Sequence, residues 1–276
     1  MTTDVLHVAL VHETFHGADG SERLAARLGQ ARQRGADLAV LPELPLNAWA
    51  PASRGARDED AEAADGPRQR ALSDAARRAG VGVLGGAIVR DGRGGRRVSQ
   101  ALLWDAGGRL VATYAKLHIP HEQGFWESDH YEAGDDPPRR IDAFALPLGI
   151  QICSDLNRPQ GCLMLGAQGA CAVLAPRATP LETYERWRLV LRADALTSAV
   201  YIVSVNRPGP ESGVGIGGPS LVVAPDGQVV HESTDAVSVV ALRREAVDAS
   251  RRAYPGYLAV RSELYARGWS ETARGR

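Results

Sequence analysis

Cysteine is scarce in this chain of 276 residues: only Cys153, Cys162 and Cys171 occur. Three thiols spaced nine residues apart make neither a disulfide framework nor a zinc-ligand pattern. They predict reduced thiols and a cytoplasmic protein. An excess of one charge is missing too, with 32 basic side chains against 33 acidic ones and no long basic run. Neither nucleic acid nor an anionic membrane is expected as a partner. No apolar stretch approaches the roughly 18 residues of a membrane helix. The N-terminus, which passes through Asp4 straight into a strand-like run, lacks the basic region of a secretory leader. Internal repeats and low-complexity linkers are also absent, so one domain over 1–276 is the simplest division. What is present, 44% apolar and 24% charged residues, is ordinary for a globular chain long enough to bury a full core.

Short apolar runs alternate with helical patterns. Val5–Val11 reads as a strand, and Asp19 followed by Glu22 reads as the capped start of a helix that lasts to Gly35. Asp37–Leu41 is a buried strand closed by Pro42, 51–66 a polar surface loop, and Pro67–Ala79 a helix stopped by Gly80. Val81–Val89 and Ser99–Asp105 flank a glycine-rich turn over 91–96, and Leu110–Ala115 follows. After a long polar loop, His118–Arg140, come a strand at Ala145–Ile152, a helix at Gln160–Gly169, a strand at Ala172–Leu174, a helix at Tyr184–Ala199 and a strand at Tyr201–Val205. Strands at Pro219–Ala224, Val229–His231 and Val237–Leu242 precede a polar, Arg-rich tail. This mixture predicts an α/β protein whose sheets carry helices on their outer faces.

Reactive side chains fall at three strand ends. Leu38-Ala-Val-Leu-Pro-Glu43 ends in a carboxylate, Val111-Ala-Thr-Tyr-Ala-Lys116 in an ammonium and Leu148-Gly-Ile-Gln-Ile-Cys153 in a thiol. Sites in such sheets form at the carboxyl ends of strands, where chain segments converge. Singly, each residue has a plain structural use: Cys packs, Glu ends a strand and Lys decorates an edge. Jointly they fit one chemistry. A thiolate attacks a carbonyl or nitrile carbon, a buried carboxylate takes the thiol proton and returns it to a leaving amine, and a fixed ammonium stabilises the tetrahedral oxygen. A helix beginning near Pro159 is expected to turn its positive end toward the thiol.

At these positions the chain resembles the nitrilase (carbon–nitrogen hydrolase) superfamily, in its amidase and carbamoyl-amine hydrolase style. The resemblance is carried by Leu41-Pro42-Glu43-Leu44, by Tyr114-Ala-Lys116-Leu-His118-Ile-Pro120 with Gly124 and Glu127, and by Gly149-Ile-Gln-Ile-Cys153-Ser-Asp155 with Pro159. Val205-Asn206-Arg207, Gly218-Pro-Ser220, Pro225-Asp-Gly227 and Arg261-Ser-Glu-Leu-Tyr265 extend it over nearly the whole chain. It implies a four-layer α-β-β-α sandwich, no metal, no organic cofactor, and pairing through helices into a homodimer or larger homo-oligomer. It makes Glu43 the general base, Lys116 the oxyanion cation, Cys153 the nucleophile and Glu127 the residue that orients the lysine. The implied reaction is hydrolysis of a non-peptide C–N bond in a small linear amide or carbamoyl compound, through a thioester acyl-enzyme.

Nitrile hydrolysis and a non-catalytic scaffold are the alternatives. Cys153-Ser-Asp155 in place of the Cys-Trp-Glu of nitrile-cleaving relatives favours the amide, and an intact triad disfavours the scaffold. Ser154, Asn157, Trp126 and Arg177 are expected to bind substrate, Ser154 with its backbone N–H in the oxyanion hole. Ser154, Arg158, Gln160 and Trp49 depart from the commoner family residues, as does the pair Leu156 and Asn157 where carbamoyl D-amino acid hydrolases carry arginines. With that carboxylate clamp absent, a neutral or weakly polar substrate is expected, and Arg177 is expected at the pocket mouth. His118, His121 and His130, with Glu122 and Asp129 nearby, match no zinc spacing. Cys162 and Cys171 read as packing residues, and Ser212–Gly218 as a flexible rim.

Overall fold

The computed structural model describes residues 4–92 and 95–274. Residues 1–3, where the leader reading begins, 93–94, the middle of the expected 91–96 turn, and 275–276 of the expected tail lie outside the described residues. Side-chain alternation assigns each strand to its layers. Along β1 (Val5–Leu10), Leu6, Val8 and Leu10 enter one apolar cluster, whereas Ala9 and the following Val11 enter another. Leu38 and Val40 of β2 (Leu38–Val40) divide from Ala39 in the same way. In β8 (Ala172–Arg177) and β9 (Tyr201–Asn206), Ala172, Leu174, Tyr201, Val203 and Val205 join the first cluster, and Val173, Ala175 and Ile202 a third. The shared cluster lies between two sheets, and each other cluster lies under a pair of helices. The result is the expected α-β-β-α sandwich.

The chain runs through one strand order twice. In the first half α1 (Gly20–Gln33) joins β1 to β2, and α2 (Pro67–Ala79) joins the short β3 (Ala61–Glu62) to β4 (Gly82–Arg90). β1, β2 and β4 are parallel neighbours, then β5 (Arg97–Trp104) and β6 (Leu110–Ala115) add antiparallel. In the second half α3 (Gln160–Ala167) joins β7 (Leu148–Ile150) to β8, and α4 (Tyr184–Ser198) joins β8 to β9. Again three parallel strands, β7, β8 and β9, are followed by antiparallel β10 (Ser220–Val223) and β11 (Val229–Ser233). Finally β12 (Ser238–Arg243) returns to pair with β1.

Two expectations need correction. The 51–66 segment is no simple surface loop: it holds short 3₁₀ turns and β3, and Asp60 and Glu62 are buried. The Glu62 carboxylate accepts the backbone N–H groups of Arg68 and Gln69 at 3.0 Å each. Gly66 lacks a side chain to cap α2, so Glu62 supplies the missing acceptor from outside the helix. Glu62 is hidden here because it finishes a helix, and Asp60 is held by the Arg57 guanidinium at 2.8 Å. The Arg-rich end is likewise structured, as α5 (Arg244–Arg252) and α6 (Ser262–Arg274). Val247 of α5 enters the core, whereas α6 buries none of its residues. Among the described residues no helix is long and apolar enough to cross a membrane.

Candidate active site

The strand ends named by the sequence converge. Beyond β2, Leu41 N–H still donates to Leu84 O at 2.9 Å, and Pro42 then turns the chain so that Glu43 is 2% exposed. Arg207 holds this turn from below, donating to Glu43 O at 2.9 Å, Leu44 O at 2.8 Å and Asn47 O at 3.0 Å. Lys116 extends β6 by one backbone bond to Ser99 O, and its side chain is fully buried. Its Nζ donates to Glu43 Oε1 at 2.8 Å and to Glu127 Oε2, which also accepts from Tyr131 Oη at 2.6 Å. Glu43 Oε2 and Glu127 Oε1 are buried without a hydrogen-bond partner among the described residues. Cys153 begins a 3₁₀ turn over Cys153–Asn157 with φ of 45°. A non-glycine residue seldom adopts that left-handed backbone. Its Sγ lies 3.7 Å from Ala178 O.

Asp155 joins the lysine segment to the cysteine segment. Its carboxylate accepts from the N–H groups of Leu117 (3.1 Å), His118 (2.9 Å) and Ile152 (3.1 Å), and from Tyr114 Oη at 2.9 Å, with His118 Nδ1 also at 2.9 Å. A buried carboxylate satisfied in this way fixes the sulfur-bearing turn against the strand that carries the ammonium. The N-terminus nearest the thiol is that of this short turn. The helix expected near Pro159, α3, begins only at Gln160.

Burial and neighbouring charge set the protonation states. Burial opposes the Lys116 charge, but Glu127 and Glu43 outweigh it and hold the ammonium well above its ordinary value. Glu127 is pushed up to about 7 by burial, against the pull of Lys116 and with a push from Glu43. Burial, then the Glu43 carboxylate, drive the Cys153 thiol upward, with Lys116 acting the other way. The resting site therefore holds a protonated thiol beside an ammonium bridging two carboxyl groups.

Glu127 and Cys153 line a cleft of about 1070 Å³, together with Ser154 and Asn157. Trp126 and Arg177, expected to meet substrate, do not line it. The Trp126 ring lies under the Arg54 guanidinium, 3.9 Å from its carbon, and Phe125 faces the cleft instead. Arg177 is not at the mouth: it is fully buried and donates to Ser204 Oγ, Thr179 Oγ1 and Pro219 O. Its position as the last residue of a strand buried at every residue withdraws it from solvent. Sequence reasoning passed over Tyr131, which follows Glu127 by one turn and braces it. It also passed over Thr179, a cleft residue whose N–H is held by Asn206 Oδ1 at 3.0 Å. The loop histidines are dispersed, His118 on Asp155, His121 on Ser128 and His130 on Ser53 O. Of the expected rim, Val214 packs against Gly124, where an added Cβ would meet it at 3.0 Å.

The carbon-nitrogen hydrolase family model matches residues 7–252. The chain is 30% identical over 234 residues to the "hydrolase in pqqF 5'region" of Pseudomonas protegens, covering 83% of this chain and 80% of that one. It is 26% identical over 245 residues to the omega-amidase NIT2 of Danio rerio, covering 85% and 86% of the two chains. Among solved structures it is similar to a carbon-nitrogen hydrolase from Helicobacter pylori, with TM-score 0.82 at 20% identity over 95% of this chain and 97% of that one. An amidase from Nesterenkonia sp. gives TM-score 0.76 at 23% identity, covering 96% of each chain. At these identities the two structures speak to the fold.

Proposed function

The chain belongs to the carbon–nitrogen hydrolase family, within the nitrilase superfamily, and from that premise we propose that it hydrolyses a small linear amide through a cysteine thioester. The observation that carries this reading is the buried ammonium of Lys116 bridging Glu43 and Glu127 beside Cys153 at the floor of the cleft. Glu43 takes the Sγ proton as the thiolate attacks the carbonyl carbon. Lys116 Nζ and the Ser154 N–H stabilise the tetrahedral oxygen. Glu43 then protonates the leaving nitrogen, the C–N bond breaks and an amine or ammonia departs, which leaves the acyl thioester. A water that gives its proton to Glu43 attacks the thioester, the C–S bond breaks, and the proton returns to sulfur as the carboxylic acid leaves. Glu127, braced by Tyr131, keeps Lys116 in place.

Several features of the cleft support a neutral or weakly polar substrate. Phe125, Leu181, Trp187 and Val214 form apolar wall, and the withdrawal of Arg177 leaves the mouth without that cation. Ser154, small where relatives often carry an aromatic ring, leaves room beside the nucleophile. The chain is further proposed to work in the cytoplasm as a homodimer or larger homo-oligomer, without metal or organic cofactor. An ammonia-release screen over amides, ureides and nitriles, with mass spectrometry of the trapped enzyme, tests the reaction. Amide turnover with an acyl adduct on the Cys153 peptide is expected. Turnover of nitriles alone, or an adduct elsewhere, would overturn the reading.

A further inference from the structure

Arg177 is an unusual cation. Its guanidinium is fully buried, and among the described residues no carboxylate oxygen lies within 4.0 Å of it. Arg207, equally buried, is neutralised by Glu211 at 2.6 Å. Arg177 has only neutral acceptors: Ser204 Oγ at 2.9 Å from Nε, then Thr179 Oγ1 and Pro219 O, with the Tyr184 ring 5.9 Å from Cζ. Burial lowers it to about 10, which leaves it charged at neutral pH. An unpaired buried charge is expensive, so its retention calls for a partner that forms only part of the time.

The fold names that partner. The paired residues of β1 and β2 end at Val40, and Glu43 is the third residue beyond. Those of β7 and β8 end at Leu174, and Arg177 is the third residue beyond. Each is preceded by proline, Pro42 and Pro176. The base of the first half therefore has a cation as its counterpart in the second. Ala178, next to Arg177, presents its carbonyl to Cys153 Sγ, and the guanidinium is within electrostatic reach of that sulfur. The other groups facing the sulfur are Glu43, Glu127 and Lys116, with Tyr131 beyond them. Two carboxyl groups against one ammonium make a thiolate unfavourable, and a second cation restores the balance.

We propose that Arg177 is a positioning residue for Cys153: its fixed charge stabilises the thiolate formed when the Sγ proton passes to Glu43, against the Ala178 carbonyl, which accepts from the resting thiol. The S–H bond breaks, the proton goes to a Glu43 oxygen and the electron pair stays on sulfur, so no further reactant is needed. This inference deepens the cysteine mechanism proposed above and rests on it.

Alkylation of Cys153 by iodoacetamide across pH, read by peptide mass spectrometry, reports the thiol directly, and kcat and KM are measured on an amide alongside. R177Q keeps hydrogen-bond donors but removes the charge. Its alkylation midpoint should rise by about one unit and its kcat should fall about tenfold, with KM little changed. R177K restores the charge and should return both midpoint and rate most of the way to wild type. A folded R177Q protein with the wild-type midpoint overturns the proposal, as does R177K shifted as far as R177Q. If R177Q is recovered only unfolded, R177K decides: an unshifted midpoint supports the proposal and a raised one overturns it. Failure of the cysteine mechanism itself looks different, because C153A would keep turnover while the alkylation midpoints of wild type and R177Q still differed.

Discussion

The two halves of the molecule repeat a strand order but not a chemistry. The first half ends its strands in a carboxylate and an ammonium, Glu43 after β2 and Lys116 after β6, and the second in the thiol after β7 and, at the end of β8, a guanidinium that meets no carboxylate among the described residues. The position that carries Cys153 in the second half, the third beyond the paired residues, is Glu13 in the first. Glu13, its side chain 14% exposed, is occupied by Arg23 at 2.5 Å and by Arg27. The same scaffold position therefore holds a carboxylate neutralised by two arginines in one half and, in the other, a thiol beside the Lys116 ammonium and its two carboxyl groups. The outer layers differ as well. Among the described residues α1 and α2 leave no large apolar side chain exposed, whereas α3 and α4 expose Leu163, Met164, Leu189 and Leu196.

The sharpest way to break this division of labour is to remove one group from each half. Cys153→Ala should lower turnover by about 10⁴-fold or more, while Cys162→Ala and Cys171→Ala, whose thiols do not line the cleft, should keep it. Glu43→Gln and Lys116→Ala should fold and lose roughly 10²–10⁴-fold in kcat. Steady-state kinetics on all five variants checks this, and ordinary kcat in either first-half variant would take that residue out of the mechanism.

Next in size is the seam. Asp155→Ala leaves the N–H groups of Leu117, His118 and Ile152 without their acceptor inside the protein. A loss of about 3–5 kcal/mol in unfolding free energy is expected, together with a fall in kcat, because the two catalytic segments lose their common anchor. Denaturant titration reads the first effect. A stability change below about 1 kcal/mol would show that the halves do not depend on this carboxylate.

Much of this was legible in the sequence, for a local reason. Glu43, Lys116, Glu127 and Cys153 stand at strand ends or in short motifs, so each is visible without knowing its neighbours, and the structure brings all four together. Arg177 was visible as a residue but not as a position. A strand-end arginine reads as exposed unless one knows that Ser204 and the Pro219 carbonyl close over it from other strands. Four of the five contacts of Asp155 depend on tertiary approach in the same way, whereas the bond from Tyr131 to Glu127 spans only four residues. The 51–66 segment misled by composition, since Glu62 is hidden by capping a helix still to come. In α6 the arginines masked Leu264, Tyr265 and Trp269, whose spacing is helical.

A smaller effect separates the interiors of the halves. Asp194, on α4, is buried and pushed up to about 7 by burial, with the Cys162 thiol as a donor acting the other way, and among the described residues its Oδ2 has no partner. A carboxyl whose folded value is raised contributes its full stability below the unfolded value of 3.8 and loses it as pH climbs to about 7. Asp194→Asn should match wild type near pH 3 and exceed it increasingly up to about pH 7, by on the order of 4 kcal/mol at pH 8. Melting curves across that window check the sign, and a variant less stable at the higher pH would contradict it.

The least effect on chemistry is expected from the outer layer, and it bears on why the halves differ there. Exposed apolar side chains on α3 and α4, with Leu189 67% exposed, sit in the same layer position where α1 and α2 are covered with polar residues. The C-terminal arm adds Tyr254, Tyr257, Leu258, Tyr265 and Trp269, all exposed on a segment whose final helix buries nothing of its own. Exposed apolar surface of this kind is costly in water and is relieved by a partner surface, and a second copy offers the same faces by symmetry. Light scattering at micromolar concentration should therefore find a dimer or larger assembly. Met164→Glu with Leu189→Glu should convert it toward monomer. Because Glu43, Lys116, Glu127 and Cys153 all come from one chain and neither Met164 nor Leu189 lines the cleft, kcat should change by no more than about twofold. A wild-type protein that is monomeric at those concentrations would remove the partner, and the exposed helix faces of the second half would then need another occupant.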